Sequence, residues 1–255
     1  MRLILIGHGK MGKLLEQRAG ELGHEVVAVL DRESLAQLDV LPAADMAVDF
    51  SRPETLGAID AYVRRTGTPL LSGTTGYTPE EMEKLRGLGS VVPVLHAANF
   101  SLGIAVFRRA LAEISDTLKP AFDIEIEEIH HNQKADAPSG TAKLLLSAID
   151  PAGEYTPVYG RAGNTGARTP KEIGIHALRG GTVAGTHTVS FFGPAEELSI
   201  THRAASRLIF VNGALHAAGL LAGRPAGFYA LEDLLFQSKI ETGQCGSRAR
   251  HAGSR

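Results

Sequence analysis

Residues 3–12, LILIGHGKMG, decide the fold. An apolar run of four residues predicts a buried strand, and it leads directly into Gly7, Gly9 and Gly12, which have the spacing G-x-G-x-x-G. The first glycine permits a tight turn, the second lets the backbone approach a pyrophosphate, and the third permits close packing of a following helix, whose N-terminal N–H groups face the anion. The glycines alone would also fit a simple turn, but the strand before them and the helix-forming residues from Leu14 onward favour a dinucleotide-binding unit.

The end of the second predicted strand carries two charges of opposite sign. Asp31 lies near the position where a carboxylate accepts hydrogen bonds from an adenosine ribose, which favours NAD. Arg32 follows at once and could pair with a ribose 2′-phosphate, which favours NADP. Each could also be a solvated charge at the end of a strand. The residues therefore leave the choice between NADH and NADPH open.

Short apolar runs alternate with helical stretches through the first hundred residues. The predicted strands lie at 2–6, 25–30, 46–50, 69–72 and 91–95. Pro53 and Pro79 stand where helices could begin, because proline at the first helical position loses no hydrogen bond, and Ser51 and Thr78 are the matching N-cap candidates. This rhythm predicts a parallel, doubly wound sheet of the α/β class.

Loops after the fourth and fifth of these strands are further cofactor candidates. Ligands bind outside the carboxyl ends of parallel strands, and the loops offer small residues, hydroxyls and backbone N–H groups. Alone, each loop would be a turn rather than a site. The predicted cofactor-binding residues are Gly7, His8, Gly9, Lys10, Met11, Gly12, Asp31, Arg32, Phe50, Gly73, Thr74, Thr75, Ala97, Ala98, Asn99 and Phe100.

After Phe100 the pattern changes. Helices are predicted at about 101–118, from Ser139, at 204–222 and at 230–236, and strands at 122–130, 172–178, 183–192 and 197–202. Because the last three strands follow one another without a helix between them, we expect a mixed or antiparallel sheet with its own core. The residues between 160 and 166, GRAGNTG, indicate a mobile loop.

The two patterns predict two domains and a tail. A Rossmann domain comprises 1–101 and 213–236, and an α+β domain for substrate binding and oligomerisation comprises 102–212. The stretch 237–255 has neither apolar periodicity nor volume to bury, so disorder is expected there.

Composition excludes several classes of protein. The 255 residues carry a formal net charge of −2, which argues against a large nucleic-acid footprint. Cys245 is the only cysteine, so the chain has no intrachain disulfide and no cysteine-built metal site. No apolar stretch approaches membrane-spanning length, and Gly7 interrupts the N-terminal run before it could serve as a signal peptide. We expect a cytoplasmic protein without nucleic-acid or membrane partners.

The segment 125–142, EIEEIHHNQKADAPSGTA, carries the chemistry. His130 and His131 lie at the end of a half-buried strand, where successive side chains point to opposite faces. One of the two histidines can therefore face a cleft. A histidine there can give or take a proton, and Lys134 is a compact cation able to neutralise a carboxylate or act as proton donor. Ser139 is a predicted N-cap. The helix that follows it would expose free backbone N–H groups at Gly140 and Thr141, where a carboxylate could bind.

Two anion-binding features one loop apart suggest a dicarboxylate substrate, but a simpler interpretation exists. The histidines and Lys134 could be surface loop residues, and Ser139 could merely start a helix. A metal site is not expected, because adjacent residues on a strand cannot both point at one ion and no third ligand has suitable spacing.

The stretch 127–142, E-x-x-H-H-x-x-K-x-D-A-P-S-G-T-A, resembles the signature of the dihydrodipicolinate reductases. The resemblance covers almost the whole chain and stops at about Phe236. It is carried by the glycine loop and by the segments 49–53, 73–76, 97–101, 160–166 and 200–204.

This resemblance implies reduction of a small cyclic dicarboxylate of lysine and diaminopimelate biosynthesis. Hydride would come from NADH or NADPH, without a metal. By position, His130 would be the proton donor or acceptor, Lys134 a proton donor, and His131, Gly140 and Thr141 substrate-binding residues. The family also implies that C-terminal helices complete the Rossmann domain and that an open mixed sheet builds a homotetramer.

The glycine loop departs from the family pattern at two positions. His8 and Lys10 stand where many members have a small residue and arginine, which leaves NADPH use less certain. Two alternatives stay open: another NAD(P)-dependent small-acid dehydrogenase, such as an amino-acid dehydrogenase, and a dinucleotide sensor without turnover. A pure sensor would not need proton donors such as His130 and Lys134.

Overall fold

The computed structural model describes residues 1–236, so the tail predicted at 237–255 lies outside the described residues. This part of the chain forms two compact units. The first unit comprises Met1–Gly12, Ala19–Ala98 and the described residues from His216 onward, and the second comprises Lys13–Arg18 and Asn99–Leu215.

Strands and helices alternate in the first half of the described chain and not in the second. The strands are β1 (Arg2–Ile6), β2 (Glu25–Leu30), β3 (Met46–Asp49), β4 (Leu70–Ser72), β5 (Pro93–His96), β6 (Asp123–His130), β7 (Thr156–Tyr159), β8 (Glu172–Arg179), β9 (Thr186–Gly193), β10 (Glu196–Arg203) and β11 (Gly227–Tyr229). The α-helices are α1 (Lys10–Glu21), α2 (Leu56–Thr66), α3 (Pro79–Gly87), α4 (Leu102–Leu118), α5 (Gly140–Ile149), α6 (Leu208–Leu221) and α7 (Leu231–Phe236).

The first unit contains a six-stranded sheet in the order β11-β5-β4-β3-β1-β2, and every pairing in it is parallel. The predicted doubly wound parallel sheet is therefore confirmed. β11 was not predicted, because three residues carry no periodic signal of their own. It forms by pairing with Pro93–Leu95 at the edge of the sheet.

Two sequence-predicted helix caps have different outcomes. Thr78 caps α3 in a capping box with Glu81, as predicted. The prediction for Ser51 was wrong: a short 3₁₀-helix starts at Pro53 after Arg52, and no side chain caps it. The helix begins directly after Arg52, and the Ser51 hydroxyl instead donates to the carboxylate of Asp49 and lies 2.7 Å from the Thr55 hydroxyl.

The second unit contains a five-stranded mixed sheet in the order β10-β9-β6-β8-β7. β6 pairs antiparallel with β9 and parallel with β8, so the predicted mixed sheet is confirmed. β7 was missed because the residues around it have no alternation. α6 begins at Leu208, later than predicted, since the backbone N–H of Ala204 bonds to Gly185 instead.

One face of this mixed sheet is covered by α4 and α5. The core between them contains Ile104, Phe107, Leu111, Ile124, Ile126, Ala142, Leu145, Ile149, Ile173, Ile175, Val189 and Phe191. On β6 the buried positions alternate strictly, and after Ile126 they continue with Glu128 and His130. The core face of β6 therefore ends in two polar side chains that need buried partners.

Candidate active site

The glycine loop of the first unit has the geometry that close approach of a ligand requires. Gly7 has φ +97°, and a Cβ there would overlap the carbonyl of Phe50. A Cβ at Gly12 would overlap the carbonyl oxygen of Gly7. A Cβ at Gly9 would meet nothing within 4 Å. Two glycines are thus required by the fold, whereas Gly9 keeps open the space in front of α1.

A cleft of about 500 Å³ lies at the carboxyl ends of β1, β2 and β3. Six predicted cofactor residues line it: Gly7, His8, Gly9, Asp31, Arg32 and Phe50. The other candidates of this unit do not line it, namely Lys10, Met11, Gly12, Gly73, Thr74, Thr75, Ala97 and Ala98. The cleft thus brings together the glycine loop and both charges that bear on cofactor preference.

Asp31 is held as a preformed acceptor. Its Oδ1 accepts hydrogen bonds from the backbone N–H groups of Glu33 and Ser34 and from the Ser34 hydroxyl, at 3.0, 3.0 and 2.7 Å. These bonds, the Ser34 hydroxyl first, hold the pKa of Asp31 below its ordinary value. Asp31 is therefore an ordered carboxylate, which fits the recognition of ribose hydroxyls.

The loop after β4 is tied to the loop after β3 through a carboxylate that sequence reasoning missed. Asp49 is fully buried and accepts from Ser72 at 2.9 Å and Tyr77 at 3.3 Å, and also from Ser51. Burial raises its pKa, although these bonds oppose the shift. The ring of Phe50 covers Gly73, where a Cβ would lie 2.5 Å from it. These contacts fix the edge on which the predicted loops lie.

Asn99 and Phe100 belong to the second unit. The Asn99 side chain donates to the Thr141 hydroxyl at 3.0 Å and accepts from the Ser101 N–H. Phe100 is only 1 % exposed, backbone included. The structure therefore places Asn99 beside a predicted substrate-binding residue.

His130 stands at the end of β6 with its two ring nitrogens in different surroundings. Nδ1 lies 2.6 Å from a carboxylate oxygen of Glu128. Because an ionised carboxylate only accepts, Nδ1 carries a hydrogen. A Cβ at Gly185 would lie 3.1 Å from Nε2, so the glycine leaves that nitrogen uncovered. His130 also lines a cavity of about 30 Å³ with Asn99 and Thr141. Nε2 is therefore the nitrogen available for proton exchange.

Glu128 was not among the predicted site residues, yet its carboxylate binds Arg179, His130 and Ser139. It is fully buried and accepts from Arg179 through both terminal nitrogens, at 2.8 and 2.9 Å, and from the Ser139 N–H at 3.0 Å. Burial alone would raise its pKa, but the bonds from Arg179, His130 and Ser139 hold the pKa below the ordinary value. A carboxylate on the core face of an alternating strand was the signal that could have revealed it.

Lys134 lies in the loop between β6 and α5. Its ammonium group contacts both carboxylate oxygens of Asp136, at 2.7 and 3.0 Å. Arg179 donates to the backbone carbonyls of Lys134 and Asp136, at 3.3 and 2.6 Å, and His131 N–H donates to the Val183 carbonyl. The backbone of this loop is therefore held in place, whereas the Lys134 ammonium group is paired, among residues 1–236, with the exposed carboxylate of Asp136.

Ser139 caps α5 as predicted: its hydroxyl accepts from the Ala142 N–H at 3.1 Å. Gly140 and Thr141 form the first turn of the helix, and Gly140 is exposed. The helix start therefore presents backbone N–H groups where an anion can bind.

His187 is a second functional candidate that sequence reasoning missed. It is 4 % exposed on β9, stacks edge-on against His130 at 5.1 Å, and its Nε2 lies 3.0 Å from the Ser139 hydroxyl. His187 therefore shares a hydrogen bond with the hydroxyl that caps α5. Among the described residues, Nδ1 has no hydrogen-bond partner.

The family comparison covers almost the entire described chain. The model of the dihydrodipicolinate reductase N-terminus matches residues 1–100, and that of the dihydrodipicolinate reductase C-terminus matches residues 103–235. The chain belongs to the dihydrodipicolinate reductase family. The family predicted from the stretch 127–142 is therefore confirmed.

Curated relatives of this family align over nearly their full length. A protein of Exiguobacterium sp. named 4-hydroxy-tetrahydrodipicolinate reductase is 39 % identical over 92 % of this chain and 95 % of its own. One of Staphylococcus saprophyticus with the same name is 40 % identical over 92 % of this chain and 100 % of its own. These matches place the chain among oxidoreductases.

A solved family structure has the same fold. Dipicolinate-bound dihydrodipicolinate reductase from Paenisporosarcina sp. TG-14 matches with a TM-score of 0.74 at 23 % identity, covering 91 % of this chain and 98 % of that chain. The predicted α/β class, with a parallel sheet and a second mixed sheet, is confirmed by this match and by the two observed sheets.

Among residues 1–236, no group of three or more His, Cys, Asp or Glu side chains could hold a metal ion. No helix in the same range is long and apolar enough to cross a membrane.

Buried His187 makes stability depend on pH. Burial, with a smaller effect of His130, lowers its pKa to about 4, whereas the unfolded chain titrates near 6.5. Below pH 6.5 the unfolded chain binds a proton at this histidine before the folded protein does. The free energy of unfolding therefore decreases as the pH falls from 6.5 towards 4. From pH 7 to 5, we expect the wild type to lose about 2 kcal/mol more than His187→Gln.

Denaturant unfolding of both proteins at the two pH values measures this difference. His216→Gln, which removes an exposed histidine, is the control and should follow the wild type. Equal losses for His187→Gln and the wild type would contradict the prediction.

Proposed function

We propose that this chain reduces 4-hydroxy-tetrahydrodipicolinate, through dihydrodipicolinate, to tetrahydrodipicolinate in the diaminopimelate route to L-lysine, with NADH or NADPH as reductant. The observation that carries the proposal is His130, whose Nδ1 is bound by Glu128 while Nε2 is left uncovered, in a chain of this family. A proton donor and an adjacent anion site are what reduction of a cyclic dicarboxylate requires.

The cofactor part of the proposal assigns residues 1–101 and 213–236 to nucleotide binding. The glycine loop and the start of α1 would hold the pyrophosphate, and Asp31 and Arg32 would face the ribose. The site fits the group, because a Cβ at Gly9 meets nothing within 4 Å and the Asp31 carboxylate is ordered. A bound nicotinamide nucleotide would supply the hydride. The remaining predicted cofactor residues stay part of this proposal.

The substrate part assigns residues 102–212. Nε2 of His130 would exchange the proton, and Lys134 would pair with a substrate carboxylate and donate a proton to the ring. His131 and the helix start at Ser139, Gly140 and Thr141 would bind the second carboxylate. Two separate anion-binding positions would select a dicarboxylate over a monocarboxylate.

We propose further that the enzyme acts in the cytoplasm as a homotetramer built on the mixed sheet of the second unit, without nucleic-acid or membrane partners. Large apolar side chains are exposed on two neighbouring strands of this sheet, Phe192 on β9 and Leu198 on β10, each 42 % exposed. Such side chains favour burial against another copy of the chain.

Turnover of freshly generated 4-hydroxy-tetrahydrodipicolinate tests the function. We expect the absorbance of NADH or NADPH to decay only when enzyme, nucleotide and substrate are all present. A protein that binds nucleotide but oxidises neither NADH nor NADPH with this substrate would overturn the proposal.

Cofactor preference should respond oppositely to the two charges of the cleft. Asp31→Ala removes the ribose acceptor, so kcat/KM should fall about tenfold for NADH and less for NADPH. Arg32→Ala removes the partner of a 2′-phosphate, so the loss should fall mainly on NADPH. Initial rates with both nucleotides measure this. Glu33→Ala, an exposed neighbouring charge outside the cleft, is the matched control. Identical losses for both nucleotides in both variants would refute these roles.

A further inference from the structure

We propose that Glu128 and Arg179 are a positioning pair that orients the proton donor His130 and the anion-binding start of α5 at once. The proposal rests on the function proposed above, since it assigns the pair to that reaction. Neither residue belongs to the glycine loop or is among the proposed proton donors and substrate ligands.

The first link runs from Glu128 to His130. Both side chains lie on the core face of β6, two residues apart, and Nδ1 is 2.6 Å from the carboxylate. An ionised carboxylate at Nδ1 selects the ring form with hydrogen on that nitrogen and fixes the ring plane. In the serine-protease triad a buried aspartate does this for its histidine. Glu128 therefore keeps the exchangeable position of His130 on Nε2.

The second link runs from Glu128 to the substrate-anion site. Its other oxygen accepts from the Ser139 N–H at 3.0 Å, directly before α5 begins. Arg179 completes the arrangement, because it binds both carboxylate oxygens and also the carbonyls of Lys134 and Asp136. One buried ion pair thus connects the strand end, the loop and the helix start that carry the three proposed roles.

A purely structural role would not need this choice of partners. Burying the Glu128 carboxylate beside the partly buried Arg179 guanidinium is costly, and apolar side chains of similar volume often stabilise a fold as well. Besides the two hydrogen bonds from its ion-pair partner Arg179 on β8, Glu128 accepts from a histidine ring and from a helix start that would contact substrate. A role in orienting His130 and the start of α5 explains why Glu128 has these partners.

Glu125 supplies the contrast. It lies on the same strand but on the opposite face, and it too binds arginines, Arg161 at 3.1 Å and Arg168 at 2.6 Å, and a histidine, His176 at 2.7 Å. The two glutamates therefore share residue type, strand and kinds of partner, and differ in whether the partners belong to the proposed site. Glu125→Gln is the matched control.

The test uses Glu128→Gln in the full-length protein. A glutamine has one acceptor oxygen, which cannot serve Arg179, His130 and Ser139 together. We expect kcat to fall by about 100-fold and KM for substrate to rise several-fold. Nitrogen-15 NMR of the ligand-free protein should show His130 losing its preference for hydrogen on Nδ1, with its signal assigned by its loss in His130→Asn.

A second variant covers the case in which Glu128→Gln does not fold because Arg179 is left unpaired. Glu128→Gln combined with Arg179→Met removes both charges, so no buried charge lacks a partner. It should fold, as judged by circular dichroism and thermal unfolding, and still show the tautomer change and the loss of kcat. Glu125→Gln should retain the wild-type tautomer and kcat.

The results separate this inference from the proposed function. If the wild type does not turn over the substrate, the function fails, yet the ligand-free NMR measurement still tests the positioning. An unchanged His130 tautomer in a folded Glu128 variant overturns the positioning role even if kcat falls. A kcat equal to that of Glu125→Gln overturns it as well.

Discussion

Replacement of His130 by asparagine is expected to lower kcat for substrate reduction by about 1,000-fold, within the range that a positioned proton-transfer group contributes. The asparagine amide can still donate to Glu128, so the buried carboxylate keeps a partner, but it offers no nitrogen that exchanges a proton. Because the proton moves in the transition state, the loss should appear in kcat and kcat/KM alike, with little change in KM.

Steady-state rates with saturating nucleotide measure this effect, and single-turnover rates show whether it falls on the chemical step. His176→Asn is the control. His176 lies on β8, its Nε2 is hydrogen-bonded to Glu125, and it does not line the cavity that His130 lines. A His130→Asn enzyme with wild-type kcat would remove His130 from the mechanism.

Replacement of Lys134 by methionine is the second large effect. Methionine keeps the length of the side chain but removes the ammonium group that would neutralise a substrate carboxylate and deliver a proton. We expect kcat to fall by roughly 1,000-fold and, unlike in the His130 variant, KM for substrate to rise by about tenfold or more. The rise in KM separates the two roles, because a lost ion pair weakens binding of the ground state as well.

Asp136→Asn is the matched control for Lys134. It removes the partner that Lys134 has in the free protein, a carboxylate whose side chain is 61 % exposed. An ion pair with so exposed a partner contributes little, about 0–1 kcal/mol, so kcat should stay within a few-fold of the wild type. A Lys134→Met enzyme with unchanged kcat and KM would show that the cation is only a surface charge.

Much of the fold could be predicted because its signals are local. The strand before Gly7, the spacing of the glycines and the alternation of apolar residues along β6 each involve residues a few positions apart. Such patterns follow from the geometry of a single strand or helix. β7 and β11 escaped prediction for the same reason, since their stability comes from pairing with a neighbouring strand.

The candidate site shows the same division. The segment 127–142 was sufficient to predict the family, and with it His130, Lys134 and the helix start at Ser139, because these residues are neighbours in sequence. Ser51 was misassigned as a cap because the short helix begins one residue later than expected, directly after Arg52, and helix starts are poorly fixed by local sequence. Cofactor preference was left open because it depends on how Asp31 and Arg32 face a ligand.

By itself, the sequence determined the family, the glycine loop that follows β1 and most of the strands along the chain. Only the tertiary structure decided which groups hold the candidate site residues in place. Glu128 meets Arg179 51 positions later, and Ser139 meets His187 48 positions later. Both contacts exist because β6 lies between β8 and β9 in the sheet. Strand adjacency is chosen by the packing of the whole core rather than by any local pattern, so buried partners of this kind become visible only once the chain is folded.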